Sequence, residues 1–239
     1  PSKTEAQQIV ESFHELAHAT DRGLILLLDD AYESFVYDEE AAQGSLFYKI
    51  RATANLLPVK LDGISKELLW YGGRVGAITI ACPSEWFNKA DRNSVATELD
   101  NKFRGIIRNT VSNCSTVAQS IATKALADRD RVIRERQITI EELKRRYQSI
   151  KAALLELGGN ALTPDPFHGG FFCFININPE SGLKATAFCD HLLRKYKVGT
   201  VPMEEGRLNG IRIAFCSVEA EDMPSLCESL KKAVADLCP

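Results

Sequence analysis

Leu24-Ile25-Leu26-Leu27-Leu28-Asp29-Asp30-Ala31-Tyr32 is the stretch that decides the fold. Five consecutive apolar residues ending at two carboxylates are expected of a strand covered by helices on both faces of a parallel sheet, whereas a strand with one wet face would alternate. A helix leads into it. Ile9, Val10, Phe13, Leu16 and Ala17 recur at helical spacing, Thr4 with Gln7 fits a capping box, and Arg22-Gly23 stops the helix. Downstream, Leu56-Leu57-Pro58-Val59-Lys60-Leu61 reads as a second strand despite its proline, and Val75 to Ala81 as a third. Open sheets of this kind take ligands beyond the carboxyl ends of their strands, where both Asp29 and the segment after Leu61 fall.

That segment, Ser65-Lys66-Glu67-Leu68-Leu69-Trp70-Tyr71-Gly72-Gly73-Arg74-Val75-Gly76, places a lysine eight residues before an arginine. A lysine amine can form a Schiff base with an aldehyde cofactor, a guanidinium can hold a phosphate dianion, and a carboxylate with a phenol can manage a pyridine ring. Taken singly, each has a plainer reading: Lys66 as an exposed surface lysine, Arg74 as a strand-edge ion-pair partner, Asp29 and Asp30 as punctuation of a strand end. Taken together, the Lys-to-Arg interval and the upstream Asp-x-Ala-Tyr resemble the class I/II aminotransferases, fold-type I enzymes that use pyridoxal 5'-phosphate.

The resemblance implies roles for particular residues. Lys66 would be the Schiff-base lysine and the base that moves a proton between the substrate α-carbon and the cofactor. Asp29 would keep the pyridine nitrogen protonated, leaving Asp30 as a plain strand-end residue. Tyr32 would hydrogen-bond the ring's 3-oxygen, and Arg74 would grip the phosphate. The family often has a hydroxyl three residues before the lysine, where this chain has Gly63; Ser65, adjacent to Lys66, is the hydroxyl on offer. In Gly210-Ile211-Arg212-Ile213-Ala214-Phe215, alternation sends Arg212 to the face opposite Ile211 and Ile213. The resemblance makes Arg212 the clamp for the substrate α-carboxylate.

The remaining pattern is α/β and then α+β. Ser84 to about Ala127 is mostly helical, with Ser84 as an N-cap and a break at Asn113-Cys114-Ser115. Thr139 with Glu142 reads as a capping box that starts a helix through Leu143, Tyr147, Ile150 and Leu154 to Gly158-Gly159. Strands are expected over 170–177, 198–201 and 211–216, and helices over 183–196 and 222–237. Gly158, Gly159, Gly169 and Gly170 are assigned to turns and His168 to a loop, while Arg131, Arg134, Arg136, Lys144, Arg145 and Arg146, interleaved with Glu135, Glu141 and Glu142, read as a solvated helix face. The expected architecture is residues 1–135 as part of a large pyridoxal phosphate-binding domain, a mainly parallel sheet with helices on both faces. A small α+β carboxyl-terminal domain follows over 136–239.

Composition narrows the partners. A net charge of −3 and a pI near 5.9 offer no broad basic field, so nucleic acid and anionic membranes are not expected partners. Seven scattered cysteines without a CxxC pair argue against a disulfide framework and against a zinc site, and make a reducing cytoplasm the simplest home. No apolar run approaches the roughly 18 residues of a membrane span. The resemblance implies an amino acid and a 2-oxo acid as substrates and a homodimer. The family's hydroxyl- and glycine-containing phosphate turn, its ring-stacking aromatic and an asparagine near the 3-oxygen are not identifiable here, so the chain is expected to be a carboxyl-terminal fragment, inactive by itself. Two other readings stay open: a non-catalytic sensing or dimerisation module on the same fold, and a fold-type I lyase.

Overall fold

The computed structural model describes residues 1–88, 91–157 and 161–238. The chain divides into two compact units, the first ending at Arg136 and the second beginning at Gln137.

In the first unit, helix α1 (Lys3–Ala19) is capped by Ser2 rather than Thr4. Ser2 Oγ accepts the Glu5 amide at 3.2 Å and Glu5 returns a carboxylate oxygen to the Ser2 amide at 2.7 Å, a reciprocal box that satisfies two orphan donors. Helix α1 lays Val10, Phe13 and Ala17 against Leu24, Leu26 and Leu28 of strand β1 (Leu24–Asp29) and Leu56 of strand β2 (Leu56–Gly63). The two strands are parallel, with Leu28 opposite Lys60 and Asp29 opposite Leu61. Strand β3 (Gly76–Ile80) is antiparallel to β2, because the intervening chain holds a single helical turn, α2 (Ile64–Glu67), and doubles back so that Gly63 faces Gly76. The sheet order is β1-β2-β3.

Coverage of β1 differs from the expectation for its apolar run. Leu24, Leu26 and Leu28 are half-buried on the α1 side, but Ile25 and Leu27 are 67% and 62% exposed, so among the described residues the second face of this strand lies open. Helices α3 (Arg92–Thr110), α4 (Thr116–Ala127) and α5 (Arg129–Leu155) follow. Ser84 opens only a 3-10 turn, and the N-cap of α3 is Asp91, which accepts the Ser94 amide at 3.2 Å. The break before Ser115 is present, with Ser115 capping α4. Helix α5 runs straight through Thr139, so the expected capping box there is not a helix start. Glu142 instead pairs with Arg145 and Arg146 along a continuous helix that buries Leu143, Tyr147, Ile150 and Leu154.

The second unit is a four-stranded antiparallel sheet in the order β4-β5-β7-β6, from β4 (Leu162–Pro164), β5 (Cys173–Ile177), β6 (Val201–Glu205) and β7 (Leu208–Ile213). Helix α6 (Ala185–His191), continued by a π-helical turn over Leu192–Tyr196, and helix α7 (Met223–Leu237) complete the unit. Phe188, Leu192, Ile175, Ile211, Ile213 and Leu230 are fully or nearly fully buried. Strand β6 begins at Val201 rather than spanning 198–201 and turns into β7 at Gly206, whose positive φ of 59° a side chain would resist. The expected helix stop at Gly158-Gly159 lies outside the described residues. All seven cysteines are free thiols, and no described helix is long and apolar enough to cross a membrane.

Candidate active site

Asp29 is the last residue of β1 and stays in phase with the exposed Ile25 and Leu27, on the side away from α1. Its Oδ1 accepts the Ala31 amide at 3.2 Å, which fixes the carboxylate at the mouth of the turn. The turn is tight: Glu33 donates its amide to the Asp30 carbonyl at 3.0 Å and Phe35 to the Tyr32 carbonyl at 2.9 Å. The Asp30 amide still follows the sheet, donating to the Leu61 carbonyl at 3.0 Å.

Lys66 rides on α2, one short helical turn past the end of β2. Its Nζ lies 5.5 Å from the centroid of the Tyr32 ring, so the two strand ends bring an amine and a phenol into one neighbourhood. Arg74 follows in a left-handed conformation, φ 50° and ψ 41°. Its guanidinium sits 5.1 Å over the Tyr71 ring and donates at 3.4 Å to Ser65 Oγ and to the Tyr71 carbonyl. Gly73 makes this turn possible. A Cβ there would stand 2.8 Å from Ile64 Cδ1 and from the Trp70 ring. The structure therefore gathers Lys66 with Tyr32 and Arg74 with Ser65, all at the carboxyl ends of β1 and β2. Arg212 belongs to the second unit, exposed on β7 between Phe174 and Val201, with its guanidinium 4.7 Å over the Phe172 ring.

A buried ionic cluster lies beside this turn. Lys60 is only 4% exposed, on the α1 side of β2. Its Nζ contacts Glu33 Oε2 at 2.7 Å and Asp30 Oδ2 at 3.6 Å, and pairs closely with Asp62. Burial alone would depress the ammonium's pKa, but the hydrogen bonds and charges of Asp62 and Glu33 outweigh it and hold Lys60 above the usual lysine value. Asp30 is pushed up by burial, with the Ser45 hydroxyl and Lys60 pulling against that. Asp30 is thus more than punctuation. The signal was available: a lysine in mid-strand on a helix-covered face must find a carboxylate.

A second polar group flanks Lys66. Glu67 accepts from the Ser34 hydroxyl at 2.9 Å and pairs closely with Arg136, while its Oε1 is buried without a hydrogen-bond partner among the described residues. Arg136 is therefore not part of a solvated face. Neither is Arg146, which pairs with Glu142 and Glu219 and donates to the Cys216 carbonyl. An amine beside a phenol, a guanidinium beside a hydroxyl and a carboxylate at a strand end match the aldehyde, 3-oxygen, phosphate and ring nitrogen of pyridoxal phosphate, so the residues present fit that group.

Comparison with known proteins bears on the same segments. The family model described as Aminotransferase class I and II matches residues 10–230. A tyrosine aminotransferase of Caenorhabditis elegans is 23% identical over 211 residues, 87% of this chain and 41% of that protein. Aromatic-amino-acid aminotransferase 2 of Thermococcus litoralis is 28% identical over 191 residues, 77% of this chain and again 41% of the relative. Among solved structures, an aminotransferase from Anaerococcus prevotii superposes with a TM-score of 0.76 at 26% identity, covering 97% of this chain and 52% of that one. An aromatic aminotransferase from Pyrococcus horikoshii gives 0.71 at 22% identity, over 99% and 56%. The chain spans about two fifths of these curated relatives and about half of the matched solved chains.

Proposed function

The chain belongs to the class I and II aminotransferase family, and from that membership we propose that it carries the lysine and two binding arginines of a pyridoxal phosphate-dependent aminotransferase, moving an amino group between an amino acid and a 2-oxo acid. The observation that carries the reading is Lys66 Nζ set 5.5 Å from the Tyr32 ring at the strand ends, with Arg74 and Ser65 beside it. When bound, pyridoxal phosphate supplies a conjugated electron sink that lets a bond at the substrate α-carbon break.

The protein's own residues do the rest. Lys66 Nζ would hold the cofactor's aldehyde carbon and would serve as the base for the proton at the substrate α-carbon. Asp29, exposed at the end of β1, would hold a proton at the pyridine nitrogen, and Tyr32 would offer its phenolic hydrogen to the 3-oxygen. Arg74 would hold the phosphate through charge-assisted hydrogen bonds, with Ser65 supplying a hydroxyl. Arg212 holds the substrate α-carboxylate, its plane steadied by the Phe172 ring. A second copy of the chain is the partner this reading assigns. Ile106, Val117 and Ile121, exposed apolar residues on α3 and α4, support it.

The reading concerns the whole protein. The 239 residues alone are proposed to be inactive, because a ring-stacking aromatic and a phosphate turn are not identified among them. Borohydride reduction of the whole protein with pyridoxal phosphate, followed by peptide mapping, is expected to label Lys66. A label on a different lysine, with Lys66→Ala labelled as strongly as wild type, would sink the assignment.

A further inference from the structure

Lys60 and Asp29 approach the same strand ends from opposite faces of the sheet. Asp29 is in phase with the open Ile25 and Leu27, whereas Lys60 sits opposite Leu28 on the side packed by α1. Lys60 therefore does not share a face with Asp29, and what it does for that carboxylate passes through the backbone. The route is short. Two of its three carboxylate partners, Asp30 and Glu33, lie in the turn that carries Asp29 and Tyr32, and the third, Asp62, lies on its own strand four residues before Lys66. Ser45 closes the far side, its hydroxyl donating to Asp30 Oδ2 and its amide to Glu33 Oε1 at 3.0 Å.

A space-filling role would not need this arrangement. Replacing a buried ion pair by apolar side chains of similar volume is often neutral or stabilising, so a 4%-exposed ammonium among three acids is weak evidence for stability as its purpose. What the cluster supplies is direction: Asp30 and Glu33 tie one turn to the ammonium on β2, and Asp62 holds that ammonium from its own strand. We propose that Lys60 is a positioning residue, tying the Asp29–Tyr32 turn to the end of β2 and so setting where Asp29 and Tyr32 stand relative to Lys66. The inference rests on the aminotransferase reading for its consequence, though not for its geometry.

The test uses the whole protein as wild type, Lys60→Met, Lys60→Arg and Glu33→Gln, the last retaining Lys60's other two partners should the methionine variant fail to fold. In cofactor-free protein, hydrogen exchange at the Asp30, Glu33 and Phe35 amides is expected to rise roughly tenfold or more in Lys60→Met, leave the Ala81 amide at the other end of the sheet unchanged, and return toward wild type in Lys60→Arg. Glu33→Gln should show a smaller rise confined to the same three amides. With pyridoxal phosphate added, Lys60→Met is expected to bind roughly tenfold more weakly and to shift the pH midpoint of the cofactor's visible absorbance, which a lysine that only adds stability would leave in place. Folded variants with wild-type exchange at those amides and a wild-type absorbance midpoint overturn the proposal. If wild-type protein takes no label at Lys66, the aminotransferase reading fails instead, and the exchange measurements still decide whether Lys60 holds the turn.

Discussion

Arg74 is asked to do two things that conflict, and separating them gives a sharp test. Its backbone is left-handed at φ 50° and ψ 41°, a region that costs an ordinary side chain about 1–2 kcal/mol and glycine almost nothing. Its side chain returns little to the fold: two contacts at 3.4 Å, the outer limit of a hydrogen bond, and a stack 5.1 Å over exposed Tyr71. Such exposed contacts are worth a few tenths of a kcal/mol each. Against the strain relieved by Arg74→Gly stands the extra unfolded-chain entropy of glycine, about 0.5–1 kcal/mol. The balance for cofactor-free protein is a change near zero or a gain of up to about 1 kcal/mol, whereas Arg74→Ala keeps the strain and loses the contacts, ending about 1 kcal/mol below the glycine variant. Both lose a charge-assisted phosphate contact of about 1.5–3 kcal/mol, so both should bind pyridoxal phosphate roughly 10- to 150-fold more weakly. Urea unfolding without cofactor, paired with cofactor titration, reads the two quantities separately. Equal stabilities for the glycine and alanine variants would refute the strain argument, and wild-type affinity in either would remove Arg74 from the phosphate site.

Two further outcomes are expected. Arg212→Ala should slow the reaction with amino acids by roughly 30- to 1000-fold in kcat/KM, about 2–4 kcal/mol, while leaving the absorbance of bound cofactor unchanged; a spectral change without the kinetic loss would place Arg212 elsewhere, and a broad amino-acid panel that never yields the pyridoxamine form would favour the sensing or lyase readings. Asp236 accepts hydrogen bonds from Lys195 at 2.7 Å, His191 at 2.8 Å and Tyr196 at 2.7 Å, and these partners, Lys195 foremost, hold its carboxyl well below the usual range. A depressed carboxylate contributes stability that is present above its unfolded pKa of about 3.9 and is lost as pH falls from there toward the folded value. Asp236→Asn should therefore lower the urea midpoint at neutral pH and flatten the decline below about pH 4; parallel declines in the two proteins would contradict this.

What could be read from the chain follows the range of the interactions. The apolar run of β1, its stop at Asp29, the helix before it and the interval from Lys66 to Arg74 are all local, and the structure places Asp29 and the Lys66-to-Arg74 segment at the carboxyl ends of the parallel strands β1 and β2. Two of the three partners of Lys60 are not local in this sense. Asp30 and Glu33 precede it by about 30 residues, and only the register of β1 against β2 brings them within reach. The same holds for Arg136 and Arg146, whose nearest acids in sequence suggested a solvated face, while Glu67 and Glu219 lie 69 and 73 positions away. Openness of the second face of β1 is illegible for a different reason: five apolar residues in a row specify that both faces can be covered, not which segment covers them.

Asp29 and Asp30 show how the two levels meet. Side by side in sequence, they look interchangeable, and composition alone cannot rank them. The pleat separates them, because successive residues of an extended strand project to opposite faces. One carboxylate continues the exposed series of Ile25 and Leu27 and is presented at the open end of the sheet. The other turns under the strand toward Lys60, with its side chain 15% exposed. A one-residue shift in the register of β1 would exchange them, putting Asp30 at the mouth and Asp29 over the buried ammonium, and would also drive Ile25 and Leu27 into the α1 core in place of Leu24, Leu26 and Leu28. Because α1 already packs its Val10, Phe13 and Ala17 against the even-numbered leucines, the choice between the two aspartates is made by the hydrophobic core. The chemistry at the strand end is set by the packing beneath it.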